Sequence, residues 1–338
     1  MSHISRKGTW QFCLVALLGC LLSGCNFENS LEELAKFAAR HKDELKEVVQ
    51  RRRTTTAHSV SQQTAEKPAD QIRIASFNIQ VFGTSKASKR GVMSVLADVI
   101  TRFDIIAIQE IRSADSSIIP NFVGRVNAKG LNYDYVVGPR LGRTSSKEQY
   151  AYIFDTARIE IDPNSVHTVN DRSDLLHREP FIARFRVRGP PSSNAFTFTL
   201  INVHTDPDEV DAEVDALAQA FAAVQHNQQY EDDIILLGDL NAAPRHFGRL
   251  KNIRNITWAI DSQPTNTRLT KCYDNILFDR YSTQEYTGES GVLNLMSTYN
   301  LTEKQALLVS DHMPVWASFR MIEAGRGPVA NLPGIRRY

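Results

Sequence analysis

The 338-residue chain, 42% apolar and 23% charged, has room for one large α/β domain or two ordinary ones and can bury a core without covalent staples. Its formal net charge of +1 gives no global attraction to nucleic acid, so any phosphate contact must come from a local patch or a bound metal. Cys13, Cys20 and Cys25 fall at the N-terminus and Cys272 stands alone, which excludes an internal disulfide in the body of the chain, and no Cys/His spacing points to zinc.

Residues 1–24 read as an export signal, with basic Arg6 and Lys7, the apolar run FCLVALLGCLL and a small-residue end. The run is short for a membrane span. Its end, LLSGC, resembles the bacterial lipobox, which implies cleavage before Cys25, a lipid on that cysteine and attachment to a membrane. Asn26 is not the Asp of an inner-membrane retention signal, so the outer membrane, periplasmic face or cell surface is the expected location. An ordinary cleaved signal or a short anchor is the alternative.

Residues 25–71 read as anchor, helix and linker. Ser30 and Glu33 have capping-box spacing, and Leu31, Leu34, Phe37, Ala38, Leu45, Val48 and Val49 follow a helical period. The basic end at Arg51–Arg53 suits either anionic lipid or the helix's own dipole. From Thr54 to Gln71 almost no large apolar residue occurs, as in a flexible linker. A working domain is expected over 72–320, followed by a C-terminal tail, 321–338.

Within the domain one pattern occurs twice. IRIASFN reads as a strand, RGVMSVLADVITRF as a helix with Met93, Leu96, Ile100 and Phe103 on one face, and DIIAIQE as a buried strand. FTFTLINVH, DEVDAEVDALAQAFAAVQ and DIILLGDLN repeat strand, helix, strand, with Val210, Val214, Leu217, Phe221 and Val224 in line. CYDNILF and VWASF read as further strands. These strands end or begin in polar residues: Asn78, Glu110, His204, Asp239, Asn241, Asp274 and the pair Asp311–His312. A side chain just beyond a strand is held by the sheet yet open to a cleft.

Carboxylates at Glu110, Glu148, Asp239, Asp274 and Asp311, amides at Asn78 and Asn241, and imidazoles at His204 and His312 make an oxygen-rich set. Such a set suits a hard divalent cation, Mg²⁺ or Mn²⁺, and carboxylates so close need a cation or a histidinium between them. Two histidines beside a metal fit a hydrolysis with one proton taken from water and one given to a leaving oxygen.

The motifs FNI (77–79), QEIR (109–112), KEQY (147–150), REPF (178–181), NVH (202–204), GDLNA (238–242), YDNI (273–276) and SDHMPV (310–315) resemble, in order, the endonuclease/exonuclease/phosphatase superfamily. KEQY, REPF and LGR (141–143) are most similar to its deoxyribonuclease I branch. The resemblance spans about residues 72–320 and implies a four-layer α/β sandwich, two packed mixed sheets flanked by helices. It also implies a metal-dependent endonuclease acting on DNA phosphodiester bonds, working as a monomer.

Residue by residue, the resemblance makes Glu110 the main metal ligand, with Asn78 and Asp311. Asp239 and Asn241 hold the attacked phosphate, the nucleophile or a second metal. His204 and His312 are the catalytic pair, supported by Glu148 and Asp274 respectively. Arg178 resembles a phosphate-contacting arginine and Arg112 one that reaches into a DNA minor groove. His312 is read as the base and His204 as the group acting on the leaving oxygen.

The chain departs from the branch at Ser146, where duplex-cutting relatives carry an aromatic, and at Asn275 and Gln80, where they carry basic residues. Each departure removes a contact to phosphate or groove, so weak or salt-sensitive DNA binding is expected. The branch's disulfide has no partner here, Pro244 lying near one of its positions and Cys272 having no mate. The segment Asp261–Lys271 keeps Thr265, Thr267 and Thr270 and only loosely resembles a calcium loop, so calcium is compatible with it but not supported. A sphingomyelinase-like or other small phosphodiesterase is the alternative enzyme, and a catalytically silent binding module the alternative outside enzymes.

Overall fold

A computed structural model describes residues 67–227 and 231–324. The export signal, Cys25, the amphipathic helix and most of the linker lie outside the described residues, as does the tail from 325. Among the described residues no helix is long and apolar enough to cross a membrane.

Two six-stranded sheets form the domain. The first has the order β11(Tyr286–Val292), β12(Val315–Arg320), β1(Gln71–Phe82), β2(Ile105–Ile111), β4(Gln149–Asp155), β3(Tyr133–Val137). The second runs β5(Ile159–Thr168), β6(Phe181–Val187), β7(Thr197–His204), β8(Ile234–Asp239), β10(Asp274–Asp279), β9(Ile256–Trp258). Each holds one parallel pair, β1 with β2 and β7 with β8, flanked by antiparallel neighbours. Helices cover the outer faces. On the first sheet these are α1(Thr84–Ala87), α2(Arg90–Ile100), α3(Ile118–Asn127), α5(Leu295–Tyr299) and α6(Glu303–Val309); the second carries α4(Val210–Asn227).

Both faces of each sheet are therefore buried, which is why the central strands read as unbroken apolar runs. Along β1, Ile72 and Ile74 face the other sheet while Ala75, Phe77 and Ile79 face α2 and α3. Between the sheets, Tyr152 stacks on Phe181, Phe196 on Phe198, and Phe196 on Phe319 of the opposite sheet at 5.9 Å. The helical faces read from sequence are the buried ones: Met93, Leu96, Ile100 and Phe103 on one side, Val214, Leu217, Phe221 and Val224 on the other. The four-layer α/β sandwich expected from the motifs is the fold observed.

A polar link crosses this apolar interior. Gln109 of β2 donates from Nε2 to Ser76 Oγ (3.0 Å) and to Asn202 Oδ1 of β7 (2.7 Å), and Asn202 returns Nδ2 to the carbonyls of Ile108 and Ala151. At the C-terminal end, residues 321–324 are part of the domain, not tail. Met321 is buried and accepts a backbone bond from Phe196, and Glu323 donates its N–H to the carbonyl of Asn194.

The topology fixes where the site lies. The carboxyl ends of the parallel pairs β1/β2 and β7/β8 share one edge with the amino ends of antiparallel β4, β10 and β12. Polar residues placed at those ends must meet.

Candidate active site

Asp239 lies at the centre of the cluster. It closes β8 opposite Asp274 of β10 and beside His204 of β7. Its Oδ1 accepts the backbone N–H of Asn241 (2.9 Å) and its Oδ2 the Nδ2 of Asn78 (3.0 Å). The chain reaches this position through Gly238, at φ +153, where a Cβ would sit 1.9 Å from the carbonyl oxygen of Val203. Only glycine lets β8 lie that close to β7. Asn241 takes the left-handed conformation, φ +47, and ties Nδ2 to the carbonyl of Thr205 (2.9 Å).

Two buried imidazoles flank Asp239. His204 Nδ1 lies 2.6 Å from Glu148 Oε1 and its Nε2 3.6 Å from Asp239 Oδ2. His312 Nδ1 lies 2.9 Å from Asp274 Oδ2 and its Nε2 3.4 Å from the same Asp239 Oδ2. A carboxylate at Nδ1 fixes that nitrogen as the protonated one and leaves Nε2 to exchange the other proton. Burial opposes the charged form of both rings, but Glu148 and Asp239 outweigh it for His204 and hold its pKa above the ordinary value. For His312, Asp274, Asp239 and Asp311 together overcome burial and raise it well above. Against its own burial, Glu148 is held low by His204, Arg178 and Arg112, and Asp239 by His312 and His204.

Asn78 joins the two halves, since its Nδ2 also donates to Glu110 Oε1 (3.1 Å). Glu110 sits at φ +62, and its Oε2 accepts the backbone N–H of Val81 (2.8 Å) within a bulge where Gln80 and Val81 are themselves left-handed. A β-branched residue at positive φ is strained, and such strain persists only where surrounding bonds enforce it.

Arg112 lies over these carboxylates, its Nε 3.3 Å from Glu110 Oε2 and 3.5 Å from Glu148 Oε2, with Nη1 reaching Ser146 Oγ at 3.4 Å. Arg178 is buried, donates Nε to the carbonyl of His204 (2.9 Å) and lies 3.3 Å from Glu148 Oε1. Its Nη2 has no partner among the described residues. The structure thus brings every residue singled out at the strand ends into one contiguous cluster.

The donors fit a hard divalent cation. Asp239, Asp274 and His312 each offer an atom within 4.8 Å of the others, a group that shares only Asp239 with the ligands the resemblance implies, Glu110, Asn78, Asp311 and Asp239. Asp311 Oδ1 is closed to solvent and has no hydrogen-bond partner among the described residues, and burial with Glu110 and Asp239 nearby raises the Asp311 pKa despite His312. Oxygen atoms dominate and no thiol is among the donors, as magnesium or manganese requires.

Three supporting residues were given no such role by the sequence. Lys86, the buried residue of α1, donates Nζ to the carbonyls of Ile79 (2.6 Å), Gln80 and Val309 (2.8 Å), so it clamps the strained bulge beside Glu110. Nothing in its neighbours distinguishes it from a surface lysine. Thr265, noted only as part of a loose loop, gives its hydroxyl to Asp274 Oδ2 (2.7 Å), and Thr267 gives its own to the carbonyl of Ser310 (2.7 Å). That loop supports the Asp274–His312 pair. Next to Asn241 a cavity of about 590 Å³ opens, lined by Arg245, His246, Lys271 and Tyr273 among others.

This fold belongs to a known class: residues 75–312 fit the model of the endonuclease/exonuclease/phosphatase family, and the chain belongs to that family. Among characterised relatives it is 33% identical over 261 residues to deoxyribonuclease gamma of Homo sapiens, covering 72% of this chain and 84% of that protein. It is 30% identical over 259 residues to deoxyribonuclease-1 of Gallus gallus, covering 72% and 90%. Truncated Caenorhabditis elegans TDP2 superposes with a TM-score of 0.51 at 12% identity, over 74% of this chain and 98% of that one, a likeness of fold.

Proposed function

We propose that the chain is a divalent-metal-dependent endonuclease that hydrolyses phosphodiester bonds of DNA. The observation that carries this is the pair of imidazoles, each locked by a carboxylate at Nδ1 and turned by Nε2 toward Asp239. Similarity to deoxyribonuclease gamma and deoxyribonuclease-1 supports DNA as the substrate. The cavity beside Asn241 offers Arg245 and Lys271 to a phosphate, though Asp211 and Asp261 line it too.

In this reading Glu110, Asp311, Asp239 and Asn78 hold the cation, Mg²⁺ or Mn²⁺, which when bound supplies stabilisation of the charge developing on the phosphoryl oxygens. His312 in its neutral form takes the proton of the attacking water at Nε2, with Asp274 receiving the Nδ1 hydrogen bond; a cation on Asp239 and Asp311 would offset the carboxylates that otherwise hold the ring protonated. His204 Nε2 delivers a proton to the departing oxygen, with Glu148 in the matching role. Asn241 and Arg178 orient the phosphate. Export and a lipid on Cys25 complete the proposal, resting on the sequence LLSGC, and place a monomeric enzyme at the outer membrane or cell surface.

The test is nicking of supercoiled plasmid by the full-length chain with Mg²⁺, beside an EDTA control and His312→Ala. Nicking abolished in both controls is expected. A folded, metal-binding protein that leaves plasmid intact but hydrolyses sphingomyelin or a small phosphodiester would overturn the DNA assignment, and one inert on all of them would overturn the enzymatic reading.

A further inference from the structure

The opposite end of the sheets holds a second group of carboxylates that the hydrolytic site does not use. Asp233 immediately precedes β8, Glu285 precedes β11, Glu323 follows β12, and Glu231 lies two residues before Asp233. Three of them are closed to solvent, at 1% exposure for Asp233, 0% for Glu285 and 3% for Glu231.

One oxygen of each glutamate is held by a backbone amide: Glu231 Oε1 by the N–H of Asp233 (2.9 Å), Glu285 Oε1 by that of Ala324, and Glu323 Oε2 by that of Thr197 (3.3 Å). These bonds orient the side chains. What remains is both oxygens of Asp233, Oε2 of Glu231 and Oε2 of Glu285, all buried and without a hydrogen-bond partner among the described residues. Asp233, Glu285 and Glu323 each present an oxygen within 4.8 Å of the other two, and so do Glu231, Asp232 and Asp233. Among the described residues, the charged groups that bear most on Asp233 are acidic: Glu285, Glu231, Glu323 and Asp232.

Buried carboxylates of like charge need a counter-charge or protons. We infer that Asp233, Glu285 and Glu323, with Glu231 beside them, form a structural site for a divalent cation of the calcium class. Four carboxyl groups from separate segments, offering oxygen alone, suit the irregular coordination of calcium. The ligands come from both sheets, β11 and β12 of one and β8 of the other. A cation there would tie the sheets together at the end away from Asp239, roughly 20 Å along β8 by the rise of an extended strand.

The experiment is calorimetric titration of CaCl₂ into the chelator-stripped full chain, in a Glu110→Gln/Asp311→Asn background that silences the hydrolytic site. Adding Asp233→Asn/Glu285→Gln should remove one calcium equivalent and abolish the calcium-induced rise in melting temperature. Equal calcium binding with and without those changes overturns the proposal. So does a variant that melts higher than its parent regardless of calcium, since the carboxyls then share protons. Independently of any variant, crystals of the wild-type chain soaked in MnCl₂ should show an anomalous peak between Asp233, Glu285 and Glu323. Peaks confined to the end holding Asp239 would overturn it.

Discussion

The Nε2 atoms of His204 and His312 converge on one oxygen, Oδ2 of Asp239, from 3.6 and 3.4 Å. The two rings share an anchor but differ in backing, Glu148 for one and Asp274 for the other. Removing either ring should lower kcat by about 10²–10⁴. The double variant should lose little more than the worse single one, because the groups act as a unit. A p-nitrophenyl phosphodiester separates their tasks, since its leaving group departs without a proton. On it His204→Ala should regain most of its lost rate while His312→Ala stays slow, and steady-state kinetics on both substrates would show a reversed pattern if the roles are exchanged.

Lys86 donates to two carbonyls of the bulge, Ile79 and Gln80, and to that of Val309. Lys86→Met should lower stability by about 1–3 kcal/mol at pH 7, read from the urea midpoint. Burial pushes the lysine down to about 8, against the pull of Asp311 and Glu110. A lysine with a depressed folded value binds fewer protons folded than unfolded, so the wild-type chain gains stability as pH rises from about 8 toward 10.5. The methionine variant should show no such gain when both are unfolded in chelator.

Arg112 is partly exposed and already engaged with Glu110 and Glu148. If it also meets a DNA phosphate or groove, Arg112→Ala should weaken duplex binding and reduce the slope of log K against log salt by about one. An unchanged slope with lowered kcat would confine its role to the carboxylates.

Cys272 is a free thiol, half-buried, and burial with Asp274 and Asp261 nearby pushes it up to about 11 from 9.0. Its thiolate fraction at pH 8 should be lower by about a hundredfold than that of an unperturbed cysteine. Iodoacetamide labelling followed by peptide mass mapping should therefore mark Cys272 slowly in the folded protein and rapidly in urea.

Much of the architecture was legible because both faces of the central strands are buried, so Ile105–Ile111 and Ile234–Asp239 announce themselves by composition alone. The outer strands do not. Tyr286–Val292 carries Gly288, Glu289, Ser290 and Gly291, and gains its place from pairing with β12. Helix α3 is masked by Pro120 and Gly124, yet the proline falls in the first turn, where its missing N–H costs no bond. β1 runs to Phe82, beyond the Asn78 at which its apolar pattern stops, because the left-handed residues Gln80 and Val81 carry it through a bulge that leaves no mark in sequence.

The site residues were legible as polar punctuation at strand ends. Their mutual distances were not, since those depend on which strands run parallel. Asp233, Glu285 and Glu323 show the opposite case: they lie at strand ends too, but in ordinary acidic company such as Glu231-Asp232-Asp233, and only the packing of the two sheets brings them together.

The bond between Gln109 and Asn202 sits where two layers of aromatic and aliphatic side chains meet. Replacing either partner alone with an apolar residue strands the other without its bond, at a cost of about 1–3 kcal/mol, whereas changing both together to a matched apolar pair can be nearly neutral. In a drifting lineage the two positions are therefore interlocked: QEIR and NVH, far apart along the chain, leave this arrangement most cheaply in a coordinated step, and so share a common history through the bonds that Gln109 and Asn202 make between the sheets.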